Sequence, residues 1–154
     1  PDFSQLKNEF GDVLRFVSYE FNDVFELEGL KFEVIRVNHK VPSAGFLISD
    51  AEVSIAVSGD TSETDEFWDA ANRDEKLKAV FIECAFPDSL NSLAVASHHL
   101  TPSRLRQELK KLKRKCPVYV FNLKPSYREV ILGELSQLSN KRVEVLQSGR
   151  GYTF

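Results

Sequence analysis

A chain of 154 residues is long enough for one domain with a real core, and 42% hydrophobic, 11% aromatic and 28% charged residues is the make-up of a globular protein. A net charge of -3 with a pI near 5.7 argues against a generic polyanion binder, so strong nucleic-acid binding is not expected. No apolar run approaches the roughly 20 residues that cross a bilayer as a helix, so no membrane partner is expected and the expected compartment is the cytoplasm.

The first sixty residues have the character of strands. Val13–Glu20 is rich in β-formers, and Lys31–His39 alternates apolar and polar residues as a half-buried strand does. Gly45–Ile48 and Val53–Val57 follow as further strands, with Ser49-Asp50-Ala51-Glu52 as the turn between them. After Asp60 the period changes. Thr61–Asn72 places Phe67, Trp68 and Ala71 at helical spacing behind an acidic first turn, and Ala79–Ile82 is a short buried strand that ends in Glu83. Thr101-Pro102 starts a helix with a Thr cap and Pro at the first position, and Leu105, Leu109 and Leu112 stripe it. Lys110–Lys115 is read as the solvated face and last turn of that helix. Val118–Phe121 is another buried strand. Ser126 and Glu129 have capping-box spacing ahead of a helix striped by Ile131, Leu135 and Leu138. Val143–Leu146 and Tyr152–Phe154 are expected as small closing strands. An antiparallel meander followed by strand–helix alternation makes an α/β fold, an antiparallel or mixed sheet covered by helices. Twelve phenylalanines promise an aromatic-rich core, and Cys84 and Cys116, each in or beside an apolar run, read as reduced buried thiols.

Candidate chemistry gathers in the polar turns behind the apolar runs, where α/β proteins place their sites. His39 ends a strand before Pro42-Ser43-Ala44-Gly45; it is either a turn histidine bonded to backbone or a metal ligand. Asp60 follows Gly59, which permits close backbone approach, and either caps a helix or holds cations. His98 and His99 stand just before the helix start at Thr101, in an exposed loop or an anion-binding one. Glu83 is a solvated strand end or the partner that orients a histidine. Histidine with aspartate in such turns points to a metal site or to general acid/base work.

In this order the stretches VNHKVPSAGFLI, VSGDTSETDEFW, KAVFIECAFPDS, SHHLTPSRL and VYVFNLKPSYREVI resemble the C-terminal half of metallo-β-lactamase-fold hydrolases, over about residues 35–135. The likeness is greatest to the phosphodiesterase branch of ribonuclease Z-like enzymes and class II cyclic-nucleotide phosphodiesterases, and SHHLTP with LKPSY leans to the latter. The resemblance implies half of an αββα sandwich, formed by residues 1–154 as one domain that is the C-terminal half of a larger one. It makes His39 a zinc ligand and Asp60 the carboxylate bridging two zincs. His99 then contacts the scissile phosphate or acts as general acid, with Glu83 behind it, and His98 and Thr101 bind substrate. Metal-dependent hydrolysis of a small phosphodiester is the activity implied. Asn122 stands where the family has its last ligand histidine, and the family's His-x-His-x-Asp-His motif is absent from these residues. The alternative is therefore a non-catalytic binding or assembly module with a decayed site. The chain has no methionine and opens Pro1-Asp2-Phe3, so it is expected to be processed or a piece of a longer protein. A half-domain leaves a sheet face to cover, which implies a homodimer or association with the missing N-terminal half.

Overall fold

The structure, a computed structural model, describes residues 6–14, 16–138 and 140–154. Strands β1 (Lys7–Asn8) and β2 (Gly11–Asp12) form a separate small hairpin. The main sheet holds β3 (Val24–Leu27), β4 (Leu30–Arg36), β5 (Ala44–Ser49), β6 (Ser54–Val57), β7 (Leu77–Glu83), β8 (Val118–Phe121) and β9 (Val143–Val145), side by side in sequence order. β3 to β6 pair antiparallel and β6 to β9 parallel. Parallel neighbours need crossovers, and these carry α1 (Glu66–Arg73), α2 (Asn91–Ser97), α3 (Pro102–Glu108) and α4 (Arg128–Ser136).

One face of the sheet meets the helices. Ile35, Leu47, Ala56, Val80, Ile82, Val118 and Val120 share it by register and join Phe67, Trp68, Leu105, Ile131 and Leu135 in one buried cluster. Gly45 lies on this face because a Cβ would meet the Phe67 ring at 3.2 Å. The residues between them point the other way, and there Phe25, Phe32, Phe46, Ile48, Val57, Phe81 and Tyr119 make a second apolar face with no helix on it. Its rings pack on one another, Phe25 on Phe32 at 5.2 Å and Phe81 on Tyr119 at 5.2 Å. Tyr19, Tyr152 and Phe154 lie over parts of it from the two ends of the chain.

The fold class and the central elements agree with the sequence reading; several edges do not. No strand forms over 13–20, of which Arg15 lies outside the described residues. Its apolar side chains find no partner strand, and Phe16 and Val17 are 69% and 70% exposed. The first strand of the sheet is instead β3, joined to β4 by Glu28-Gly29, both at positive φ (51° and 78°), the two-residue turn that suits strand twist. β4 stops at Arg36 rather than at His39 because the backbone of Asn38 is taken by Thr61 and Ser62. α1 starts at Glu66, not Thr61: residues 61–64 follow instead the bonds of their amides to distant elements, Thr61 to Glu83, Ser62 to Asn38 and Thr64 to Glu108. α3 begins at Pro102 as expected, although its cap comes from Asp88, which accepts the Ser103 N–H at 2.8 Å. The Ser126–Glu129 capping box does not form, because Ser126 sits in a 3-10 turn and Glu129 pairs with Arg128 at 3.0 Å. Residues 152–154 form no strand; their rings settle on Tyr119 and Phe81 instead. Cys84 and Cys116 are free and buried, as expected. Among the described residues no helix is long and apolar enough to cross a membrane.

Candidate metal centre

β4, β6, β7 and β8 all run toward one edge of the sheet, so the loops behind them converge there. His39 follows β4, Asp60 follows β6, Glu83 is the last residue of β7 and Asn122 comes directly after β8. Gly59 aims Asp60: its φ is 61°, and a Cβ there would stand 2.6 Å from the Ala44 carbonyl oxygen. His98 closes α2 in the left-handed conformation, φ 56°, which reverses the chain and brings His99 over Glu83. Asn122 also takes positive φ, 62°, a conformation that asparagine tolerates better than most residues.

The outcome is a cluster of His39, Asp60 and His99, with one ligand atom from each lying within 4.8 Å of the others. The two imidazole centroids are 4.9 Å apart. His39 Nδ1 is 3.0 Å from the His98 carbonyl oxygen, which only accepts, so Nδ1 carries the hydrogen and Nε2 the lone pair. His39 is thus both a turn histidine bonded to backbone and a potential ligand. His99 Nδ1 lies 2.7 Å from Glu83 Oε1, and that same oxygen accepts the Thr61 N–H at 3.2 Å. Such outer partners fix ring orientation and tautomer in metal sites. The Glu83 side chain is fully buried and its Oε2 has no hydrogen-bond partner among the described residues; burial pushes its carboxyl above the ordinary value, against the opposing pull of the His99 hydrogen bond. The Phe86 ring stands edge-on to His99 at 5.6 Å and shields that side.

The donors fit one divalent cation: the His39 imidazole, with Nδ1 already engaged and Nε2 free, and the Asp60 carboxylate, with the His99 ring bordering the same space. They do not fit a second ion held through Asn122. The Asn122 amide donates to Asp60 Oδ1 at 2.9 Å, so the oxygen meant to bridge already has a hydrogen on it. The reverse amide orientation would set oxygen against carboxylate.

Two residues expected to bind substrate stand elsewhere. The His98 ring is turned to Asn38, with Nδ1 2.9 Å from Oδ1, while its carbonyl serves His39. Thr101 is buried and its hydroxyl is bonded to Asp88, which places it in the cap of α3. One contributor was missed. Asn38 bonds His98 through Oδ1 and the Glu63 carbonyl through Nδ2 (3.0 Å), and its backbone bonds Thr61 and Ser62, so it ties three site loops together. Its only sequence signal is its place beside His39.

No protein-family model matches this chain, and no curated protein matches it in sequence. Solved structures do match in shape. The metallo-β-lactamase fold protein YhfI from Bacillus subtilis superposes with a TM-score of 0.75 at 13% identity, over 96% of this chain and 59% of that one. A diphosphatase of the PhnP family gives 0.62 at 18% identity, over 86% and 47%. Human tRNase Z, short form, gives 0.57 at 19% identity, over 80% and 42%. The chain spans less than two thirds of the length of each of these three proteins. At such identities shape is what is shared, and over these residues the chain carries the metallo-β-lactamase fold.

Proposed function

We propose that this chain supplies part of the active site of a metal-dependent phosphodiester hydrolase. The observation that carries the reading is the convergence of His39, Asp60 and His99 within 4.8 Å, each imidazole with Nδ1 held by an oxygen. His39 and Asp60 would hold the ion, and zinc suits imidazole with carboxylate. When bound, a divalent ion supplies a Lewis acid that lowers the pKa of a water and draws charge from a phosphoryl oxygen. His99 faces the same space and gives its Nε2 proton to the leaving oxygen. Glu83 keeps the ring aimed and stabilises its protonated form. Similar structures named as a tRNase and a diphosphatase support a phosphate-centred substrate. The SHHLTP and LKPSY segments favour a cyclic nucleotide among these.

The same reading includes a covering layer. A sheet with helices on one face and aromatic rings on the other is half of an αββα sandwich, so the remainder of a longer domain or a second copy of this chain covers the open face. Two free buried cysteines suit a reducing compartment such as the cytoplasm.

The test is metal-dependent hydrolysis of bis(p-nitrophenyl) phosphate by the protein that contains this chain with its covering layer. Asp60→Ala should lower the rate about 10³-fold, the several kcal/mol that such an ion contributes. A rate that survives Asp60→Ala overturns the reading. The Asn122–Asp60 hydrogen bond favours a second reading, a binding module in which amide and carboxylate satisfy each other without a metal. Zinc uptake gained only on Asn122→His would support that one.

A further inference from the structure

A second concentration of charge lies at the opposite edge of the sheet, where β8 and β9 begin. A cavity of about 630 Å³ opens there, with the buried side chains of Leu112 and Cys116 as its floor. Lys113, Lys115, Lys141 and Arg142 border it against one acid, Glu144. Four cations facing one carboxylate is a local excess of positive charge in a chain whose net charge is -3. Some cations elsewhere are neutralised, Lys111 by Asp65 and Glu108 at 2.7 Å each and Arg73 and Arg104 by Glu33 and Glu63, and others such as Lys40 and Lys78 stand unpaired among the described residues; what sets this cavity apart is that four cations border one concave space. Among the described residues, none of the four cations around the cavity has a carboxylate within ion-pair distance. Arg142 is nonetheless held in place. Its Nη1 donates to the Arg114 carbonyl at 2.8 Å and its backbone carbonyl accepts the Val118 N–H at 2.7 Å. A carbonyl partner fixes the guanidinium without cancelling its charge, and leaves the other donors free for a ligand.

Several unneutralised cations around one concave space favour an anion with more than one charged group, since each anionic oxygen then meets its own donor. Among the described residues no aromatic ring lines the cavity, so none of them stacks a base there, and recognition falls on phosphates. The volume is in the range of small-ligand sites. We propose that this cavity binds an oligophosphate anion, a di- or triphosphate group, either free or as the phosphate tail of a nucleotide. The site is separate from the metal centre and does not depend on its role.

Isothermal titration at low ionic strength, without added metal, tests it with tripolyphosphate, ATP and orthophosphate as probes. Tripolyphosphate and ATP should bind alike, about tenfold or more tighter than orthophosphate, and weaken as salt rises. The triple variant Lys113→Glu, Lys115→Glu, Lys141→Glu changes exposed side chains only and should lower the affinity about 100-fold or more, with unchanged circular dichroism. His39→Ala should bind as the parent does. The proposal is overturned by absence of binding, by binding that the triple variant retains, or by binding of ATP but not tripolyphosphate. It is overturned too by binding that His39→Ala removes, which would put the anion at the metal centre.

Discussion

Gly59 decides where Asp60 stands. Gly59→Ala meets left-handed strain and a carbonyl oxygen 2.6 Å from the new Cβ, so it should cost about 1–3 kcal/mol or more in denaturant unfolding. Because the backbone shift carries Asp60 with it, zinc affinity should fall as well; a variant that loses stability and keeps its zinc affinity would contradict the aiming role. Glu83 gives a pH signature. Its native value is raised by burial above the ordinary carboxylate value, so its favourable contribution to stability is complete below that ordinary value and is lost as pH rises through the native one. Glu83→Gln should remove that decline, which a series of denaturant titrations across the weakly acid range would record. At this scale the sequence was informative wherever a polar residue ended an apolar run. His39, Asp60 and Glu83 were legible on that ground, because buried strands fix their ends, and His99 by its place just before the helix start at Thr101-Pro102. Asn38 was not, since its part depends on Thr61, Ser62, Glu63 and His98, which only the folded chain brings to it.

The segment between β6 and α1 shows how tertiary bonds override a local helical signal. Glu108, reaching from α3, is fully buried and accepts from Trp68 Nε1 at 2.7 Å and the Thr64 N–H at 3.1 Å, while Lys111 pairs with its other oxygen. Glu108→Ala leaves both donors buried and unmatched and should cost about 3–5 kcal/mol, read as a lower urea midpoint through the fluorescence of Trp68, the one tryptophan in the chain. The β5–β6 turn is held differently. Asp50 accepts the Val53 and Glu52 N–H groups, and these bonds hold its carboxyl below the ordinary value. Its contribution is complete above the ordinary carboxylate value and is lost as pH falls through the lower native one, so Asp50→Ala should be less stable than the parent at neutral pH and converge with it in acid. β4 to β8 and α3 were legible from period and caps. β3 and α2 were not: β3 has an exposed face that breaks the alternation, and α2 buries only Ala94.

The whole molecule has one finished side and one unfinished side. Helices cover one face of the sheet, while on the other Phe25, Phe32, Phe46 and Phe81 are half-buried, and Leu27 at its edge strand is 57% exposed. Apolar surface on that scale is unfavourable in water. The isolated chain should therefore dimerise or associate further in light scattering coupled to gel filtration; a well-behaved monomer over a range of concentrations would contradict the covering layer. The aromatic-rich core expected from twelve phenylalanines did not form: among the described residues only Phe67 of them joins the buried cluster, several of the others lie half-buried on the open face, and which face lacks a helix emerged only from register. The central claim is that three loops of this chain build a metal centre. Zinc titration of the chain, beside His39→Ala and Asp60→Ala, tests it most directly. Saturable uptake of one ion per chain, lost in both variants, is the result predicted; no uptake, or uptake that both variants retain, would contradict it.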